Sequence, residues 1–196
     1  MLSILIPAAG ASSRMAPRDK LLEEIDGVAL LRRQVLRALA TGHDLLVTLP
    51  SPGKGRAEAL HGLDCPTLII PDARYGMAAS LRRGSAHLPP DHALLVLLPD
   101  MPDIEIRDLE RLIAAHEAAP DQVIRAADTI GTPGHPVILP ARLRPALATL
   151  TGDQGAKPIL TGEEIHLVPL PGHRATTDLD TPADWARWRA TRPDQP

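Results

Sequence analysis

Leu2-Ser3-Ile4-Leu5-Ile6-Pro7-Ala8-Ala9-Gly10-Ala11-Ser12-Ser13-Arg14-Met15, closed by Lys20, is the stretch that organises the chain. The run Leu2–Ile6 reads as a buried strand. A loop of small residues follows it at once, and a helical pattern begins near Gly27. Strand, small-residue loop and helix therefore follow in that order. Small residues let backbone N–H groups approach an anion without obstruction by side chains. Arg14 adds a planar fork of donors and Lys20 a mobile point charge, both suited to phosphate oxygens. The loop is not a P-loop, because no Gly-Lys-Ser/Thr closes it. Nor is it a dinucleotide fingerprint, because one Gly stands where three are needed. From composition alone it is either a triphosphate-binding loop or an ordinary strand-to-helix connection.

Outward from this loop, strand and helix patterns alternate. The spacing predicts strands over Asp44–Leu49, Thr67–Ile70 and Ala93–Leu98. It predicts helices over Val28–Leu39 and Arg56–Leu60, one opened by Gly76–Gly84, and one over Ile106–Ala118 with Leu109, Leu112, Ile113 and His116 on one face. Further strands are expected at Gln122–Ala126, Pro136–Leu139 and Ile165–Leu170. Helical segments are expected at Ala141–Leu150, Gly155–Leu160 and Thr181–Arg192, the last started by Thr181 as N-cap and Pro182 at the first position. Alternation at this spacing implies an α/β fold: one Rossmann-like, three-layer domain with a mostly parallel sheet. It should span residues 1–190, with 191–196 a loose tail.

Composition narrows the function classes. The chain has 196 residues, 44% of them hydrophobic, which is enough for one domain with a sizeable core. Phe is absent, so aliphatic residues must build that core. The net charge of −3 argues against a nucleic-acid-binding face. Cys65 is the only cysteine, which excludes an internal disulfide and a cysteine zinc cage. No apolar run reaches the ~20 residues that cross a bilayer, and the start lacks a signal-peptide pattern. The expectation is a cytoplasmic protein without membrane or nucleic-acid partners.

Four further places can carry chemistry. Asp100, in Pro99-Asp100-Met101-Pro102, follows the predicted fourth strand at its carboxyl end, where open α/β sheets bind ligands. It is either a Mg²⁺ ligand or the cap of a turn. Asp178 and Asp180, in Asp178-Leu179-Asp180-Thr181-Pro182, would point to one side of an extended segment. Asp184 reads as part of a helix cap. Gly76-Met77-Ala78-Ala79-Ser80 offers N–H groups and a hydroxyl at a helix start, for an anion or a base edge. His135, in Gly134-His135-Pro136, could be a general base or a packed loop histidine; no His or Cys at ligand spacing supports a metal there. Lys20 and Lys157 are two of only three lysines, and both fall in motifs.

Taken together, these motifs resemble the nucleotidyltransferases, best of all the molybdenum cofactor cytidylyltransferase-like group. The matching parts are Ala8-Ala9-Gly10-x-Ser12-x-Arg14-Met15 with Lys20, Gly76-Met77-x-x-Ser80, Asp100-Met101-Pro102, Gly134-His135-Pro136, Gly152-Asp153-Gln154-Gly155-Ala156-Lys157 and Asp178-x-Asp180-Thr181-Pro182. They run from Pro7 to Trp185 in the family's order. Three positions depart from the pattern. Ala16 stands where Gly is usual, and a demand for positive φ there would strain it. Ala78 replaces a frequent Ser, and Lys157 a commoner Arg.

The resemblance implies a sheet of the nucleotide-diphospho-sugar transferase type and nucleotidyl transfer from an NTP. Arg14, Lys20 and Asp100 would be catalytic. Ala8, Ala9, Gly10, Arg14, Lys20, Gly76 and Ser80 would hold the nucleotide. Asp100 with Asp180 and Asp178 would hold Mg²⁺, and Gly134, His135, Asp153, Gln154 and Lys157 would face the acceptor. That acceptor would be a phosphorylated pterin, the molybdopterin or molybdenum cofactor, and a molybdoenzyme or its chaperone would be the downstream partner. Ala-Ala-Gly goes with CTP in that group, and the Ala9 methyl would occupy space that a purine needs. The alternatives are a sister enzyme using GTP or a sugar-phosphate acceptor, a non-catalytic nucleotide-binding accessory protein, and a dinucleotide-dependent oxidoreductase, which the missing glycines disfavour.

Overall fold

The computed structural model describes residues 1–53, 55–71, 76–152 and 155–192. The expected tail, from Pro193 on, and two of the expected acceptor residues, Asp153 and Gln154, lie outside the described residues.

Seven strands form one sheet. In chain order they are β1 (Leu2–Pro7), β4 (Asp44–Leu49), β5 (Thr67–Ile69), β6 (Ala93–Val96), β7 (Val123–Ala127), β8 (Pro133–Leu139) and β9 (Ile165–Pro169). Their spatial order is β5-β4-β1-β6-β8-β7-β9. Every neighbouring pair is parallel except those made by β8, which runs against both β6 and β7. The later strands thus extend the first half's sheet. The architecture is the single α/β domain with a mostly parallel sheet that the alternation predicts.

Period-two alternation sends side chains to both faces. On β1, Leu2, Ile4 and Ile6 join one core and Leu5 the other; on β6, Ala93 and Leu95 join the first, Leu94 and Val96 the second. Helices α1 (Leu30–Leu39) and α4 (Ile106–Ala118) cover the first face through Leu31, Val35, Leu109 and Leu112. Helix α3 (Met77–His87) covers the second through Ala78 and Leu81, joined by Leu147 from the 3-10 segment Ala141–Thr149. These two cores make the three layers. The short helix α2 (Arg56–Ala59) follows β4.

Two local expectations differ from the structure. Val28 belongs to a small antiparallel hairpin, β2 (Glu24–Ile25) with β3 (Val28–Ala29), and α1 begins only at Leu30. Asp26 and Gly27 turn that hairpin with φ of 54° and 74°, the two positive values that an Asp-Gly turn supplies. The segments at Ala141–Thr149 and Lys157–Leu160 are 3-10 rather than α-helical. Pro145 lies inside the first and Pro158 near the start of the second, and each removes a backbone donor.

The last helix, α5 (Pro182–Ala190), starts as predicted. Thr181 Oγ1 accepts from the Asp184 N–H at 3.2 Å, and Asp184 Oδ2 accepts from the Thr181 N–H at 2.9 Å. This reciprocal cap explains Asp184. Trp185 and Trp188 bury against Met15, Ile25, Leu30 and Leu179. That satellite core clamps the chain's end onto the first loop and its hairpin.

Candidate active site

The loop after β1 and the loop after β6 leave neighbouring parallel strands at their carboxyl ends, so both border one cleft. The cleft holds about 300 Å³, and Gly10, Arg14, Lys20, Ser80, Asp100 and Asp180 are among the residues that line it. Gly76 and Met77 also line it.

Lys20 is the electrostatic centre. Its Nζ donates to Asp100 Oδ2 and to Asp180 Oδ1, both at 2.5 Å. Arg14 pairs with the other oxygen of Asp180 at 2.7 Å. Burial alone would lower the Lys20 pKa, but the charges and hydrogen bonds of Asp100 and Asp180 outweigh it and raise the pKa. Burial works against ionised Asp180 too, yet Lys20 and Arg14 hold its carboxyl below the ordinary value. Asp178 goes the other way: partial burial, then the charges of Asp180 and Asp100, push it up. Two carboxylates 80 residues apart in sequence, Asp100 and Asp180, thus converge on one ammonium group.

The backbone holds this convergence in place. Leu179 N–H donates to the Asp100 carbonyl at 3.0 Å, which ties the Asp178–Asp180 segment to the Asp100 loop. From α1, the buried Gln34 donates to the Met101 carbonyl and Arg37 to the Pro102 carbonyl, the latter at 2.9 Å. Nothing in the sequence pattern singles out Gln34 or Arg37, because their partners are carbonyls distant in the chain.

Asp100 Oδ1 is buried with no hydrogen-bond partner among the described residues. A divalent cation would satisfy that oxygen. Among the described residues no three His, Cys, Asp or Glu side chains are arranged to hold an ion by themselves. Such a set fits Mg²⁺ binding, which commonly uses one or two carboxylates and completes its shell with waters and substrate phosphates.

The small-residue loop takes a shape that its sequence left open. Ser12 is the left-handed residue, with φ of 49°, and Ala16 has φ of −50°, so the Gly-to-Ala departure at 16 carries no backbone strain. A 3-10 turn over Ser13–Met15 and the β2–β3 hairpin separate the loop from α1, so no α1 N-terminus faces the cleft. Among the described residues, the N–H groups of Ala9, Gly10, Ala11 and Ser12 donate to no protein acceptor. Ala8 and Ala9 are both buried, and neither methyl lines the cleft. Ala9 packs against Ile70 and Ala79. Direct exclusion of a purine by the Ala9 methyl, expected from the sequence, is therefore corrected: this methyl shapes the loop from behind.

Gly76 precedes α3 with φ of 104°, a conformation that suits glycine. Ser80 sits in the first turn, buried beneath the cleft. Ala78 N–H donates to the Gly152 carbonyl at 3.1 Å, which ties Gly152 to the start of α3. Lys157 itself is exposed and lies outside the cleft lining.

Gly134 and His135 lie on β8, which pairs with β6. His135 N–H donates to the Ala175 carbonyl at 2.8 Å. A Cβ on Gly134 would stand 1.7 Å from that same carbonyl oxygen. Because the obstacle is backbone, Gly134→Ala is expected to destabilise the protein by roughly 3 kcal/mol or more, the upper end for overpacking. At about 2–4 °C per kcal/mol for a domain of this size, calorimetry should show a clear fall in Tm.

His135 Nδ1 is buried without a hydrogen-bond partner among the described residues. Burial, then the Arg125 charge, lowers its pKa to about 4 against the opposing pull of Asp100. His135 is thus a neutral imidazole at neutral pH. Below about 6.5 an unfolded chain protonates this histidine while the folded one does not, so its contribution to stability falls as pH drops from 6.5 towards 4. His135→Gln should flatten the pH dependence of Tm across that window; an unchanged slope would remove His135 as its source.

No helix among the described residues is long and apolar enough to cross a membrane. Comparison with known proteins finds relatives along nearly the whole chain. Nicotine blue oxidoreductase of Paenarthrobacter nicotinovorans is 27% identical over 184 residues, spanning 89% of each chain. The crystal structure of Rv0371c from Mycobacterium tuberculosis superposes with a TM-score of 0.79 at 27% identity, covering 95% of each chain. A nucleotidyl transferase from Methanothermobacter thermautotroptrophicus superposes with a TM-score of 0.78 at 24% identity, covering 97% of this chain and 96% of its own. The MobA-like NTP transferase domain matches residues 4–168, which include the first loop, Lys20, Asp100 and His135, and the chain belongs to that family.

Proposed function

We propose that this protein is a cytoplasmic, Mg²⁺-dependent nucleotidyltransferase that moves CMP from CTP to the phosphate of a molybdopterin-type pterin and releases pyrophosphate. The observation that carries the reading is the Lys20 ammonium held between Asp100 and Asp180 beside a loop of unpartnered N–H groups. Phosphoryl chemistry needs position and positive charge more than covalent help. The N–H groups of Gly10–Ser12, with Arg14 and Lys20, would hold the triphosphate. Gly76 and Ser80 would border the base and sugar.

Asp100 through its unpartnered oxygen, with Asp178 or Asp180, would hold the metal, which supplies charge stabilisation on the phosphates. Both oxygens of Asp180 are engaged by cations, with which a metal at this carboxylate would have to share or exchange them. Gly134, His135 and Lys157 would border the acceptor, together with Asp153 and Gln154. An acceptor phosphate oxygen attacks the α-phosphorus, and the bond to the β-phosphate oxygen breaks. A phosphate acceptor is already ionised near neutrality, so a neutral His135 need not act as base. A molybdoenzyme or its chaperone would receive the product.

The test is incubation with Mg²⁺, CTP and GTP in competition and a phosphorylated pterin, followed by pyrophosphate release and product masses. The expected result is CMP transfer preferred over GMP. Equal incorporation overturns the base assignment; no pyrophosphate from any NTP overturns the reaction. A second reading, oxidoreduction with a nucleotide cofactor in the same cleft, is favoured by the relative that bears that name. Following nicotinamide absorbance in the same mixtures separates the two.

A further inference from the structure

Arg56, the first residue of α2, is 5% exposed and lies under the β1 loop. All of the N–H groups of its guanidinium are engaged. Nη1 donates to the carbonyls of Ala8 at 2.6 Å and Gly10 at 2.7 Å. Nη2 donates to Ser12 Oγ at 2.7 Å and to Asp19 Oδ1 at 2.9 Å, and Nε donates to Asp19 Oδ2 at 2.7 Å. Asp19 in turn accepts from the Leu21 N–H at 3.0 Å and from Ser12 Oγ at 3.1 Å. One planar fork thus joins the start of the loop, residues 8, 10 and 12, to its end at Asp19, next to Lys20.

We propose that Arg56 is the positioning residue of the anion-binding loop. A guanidinium with every donor engaged has none left for a substrate. Its effect is on the backbone. By drawing two carbonyls to one side it turns peptide planes so that the intervening N–H groups are left without protein partners, free for an anion. Arg56 does this from outside the loop, where a P-loop uses its own glycines. Through Asp19 the same fork fixes the backbone next to Lys20, so the loop amides and the ammonium share one reference point. A Lys at position 56 would keep the charge but has neither five donors nor a plane. The inference rests on the proposed use of the cleft for phosphates.

Mg²⁺-pyrophosphate is the probe, because it presents phosphate oxygens with no base and no acceptor. Wild type, Arg56→Lys and Asp19→Asn are titrated with it by calorimetry, and backbone amide spectra are recorded for Gly10, Ala11 and Ser12. The expected result is binding by wild type with shifts at these amides. Arg56→Lys should then weaken binding by roughly 10- to 100-fold, the cost of misplacing a prepared site by about an ångström, and lose the amide shifts. In turnover it should raise KM for the NTP more than it lowers kcat. If Arg56→Lys does not fold, Asp19→Asn, which keeps the guanidinium and its carbonyl contacts, carries the test through a smaller loss in the same direction. Wild-type affinity and unchanged amide shifts in a folded Arg56→Lys overturn the role of Arg56 alone. No pyrophosphate binding by wild type overturns the phosphate reading of the cleft, and this inference with it.

Discussion

Replacing Lys20 with alanine is expected to weaken Mg²⁺-NTP binding by more than tenfold and to lower turnover by roughly 10²- to 10³-fold. The first figure is the loss of one charged hydrogen bond, about 1.5–3 kcal/mol. The second is the usual cost of removing a prepared donor from the developing charge, about 2.7–4 kcal/mol. The side chain is largely buried and bridges two carboxylates at 2.5 Å each. Its loss also leaves Asp100 and Asp180 facing one another without their shared counter-ion. The nucleotide-free Lys20→Ala protein should therefore bind Mn²⁺ more tightly than wild type, since the ammonium no longer competes for those oxygens. Calorimetric titrations with NTP and with Mn²⁺ check both effects. Wild-type affinity for nucleotide in the folded variant would remove Lys20 from the site.

Asp100→Asn should fold, keep its shape and lose Mg²⁺-dependent turnover by a similar factor. The substitution removes the anionic charge while changing little volume. It also halves the carboxylate partnership of Lys20. In the wild type, Asp100 Oδ1 is a buried acceptor without a partner among the described residues, a situation that costs about 1–3 kcal/mol unless something fills it. A catalytic metal would satisfy it, and an amide is a poor substitute as a ligand. Melting curves, Mn²⁺ titration and pyrophosphate release, run on the same preparation, separate folding from function. Full turnover with Mg²⁺ would sink the assignment of Asp100.

The predicted sites and the observed cleft overlap where the motif residues follow a strand directly. Gly10, Arg14, Lys20 and Asp100 were placed by strand order alone, since parallel neighbours present their carboxyl ends on one edge. Asp180 joins them only because α5 folds back, and the two tryptophans that clamp it there looked in the sequence like ordinary helix residues. Arg56 was hidden for a different reason. It is one of many arginines, it sits beside a Pro/Gly-rich loop, and its partners are mostly backbone carbonyls, which no sequence pattern distinguishes. The Asp26-Gly27 hairpin was legible by its turn signal, yet the helical period running on from Val28 masked it.

What the sequence by itself determined is the layer order and the edge on which chemistry sits. Alternating hydrophobic periods specify strands and helices, and a buried parallel sheet admits few connections. What only the tertiary structure decided is which way the loop groups face and which charges meet. The Ala9 methyl turns into the core, Ser12 rather than Ala16 takes the left-handed conformation, and Lys20 lies between two carboxylates 80 residues apart in the chain. These outcomes depend on packing and on long-range electrostatics, whose energies arise only once distant segments are brought within a few ångströms.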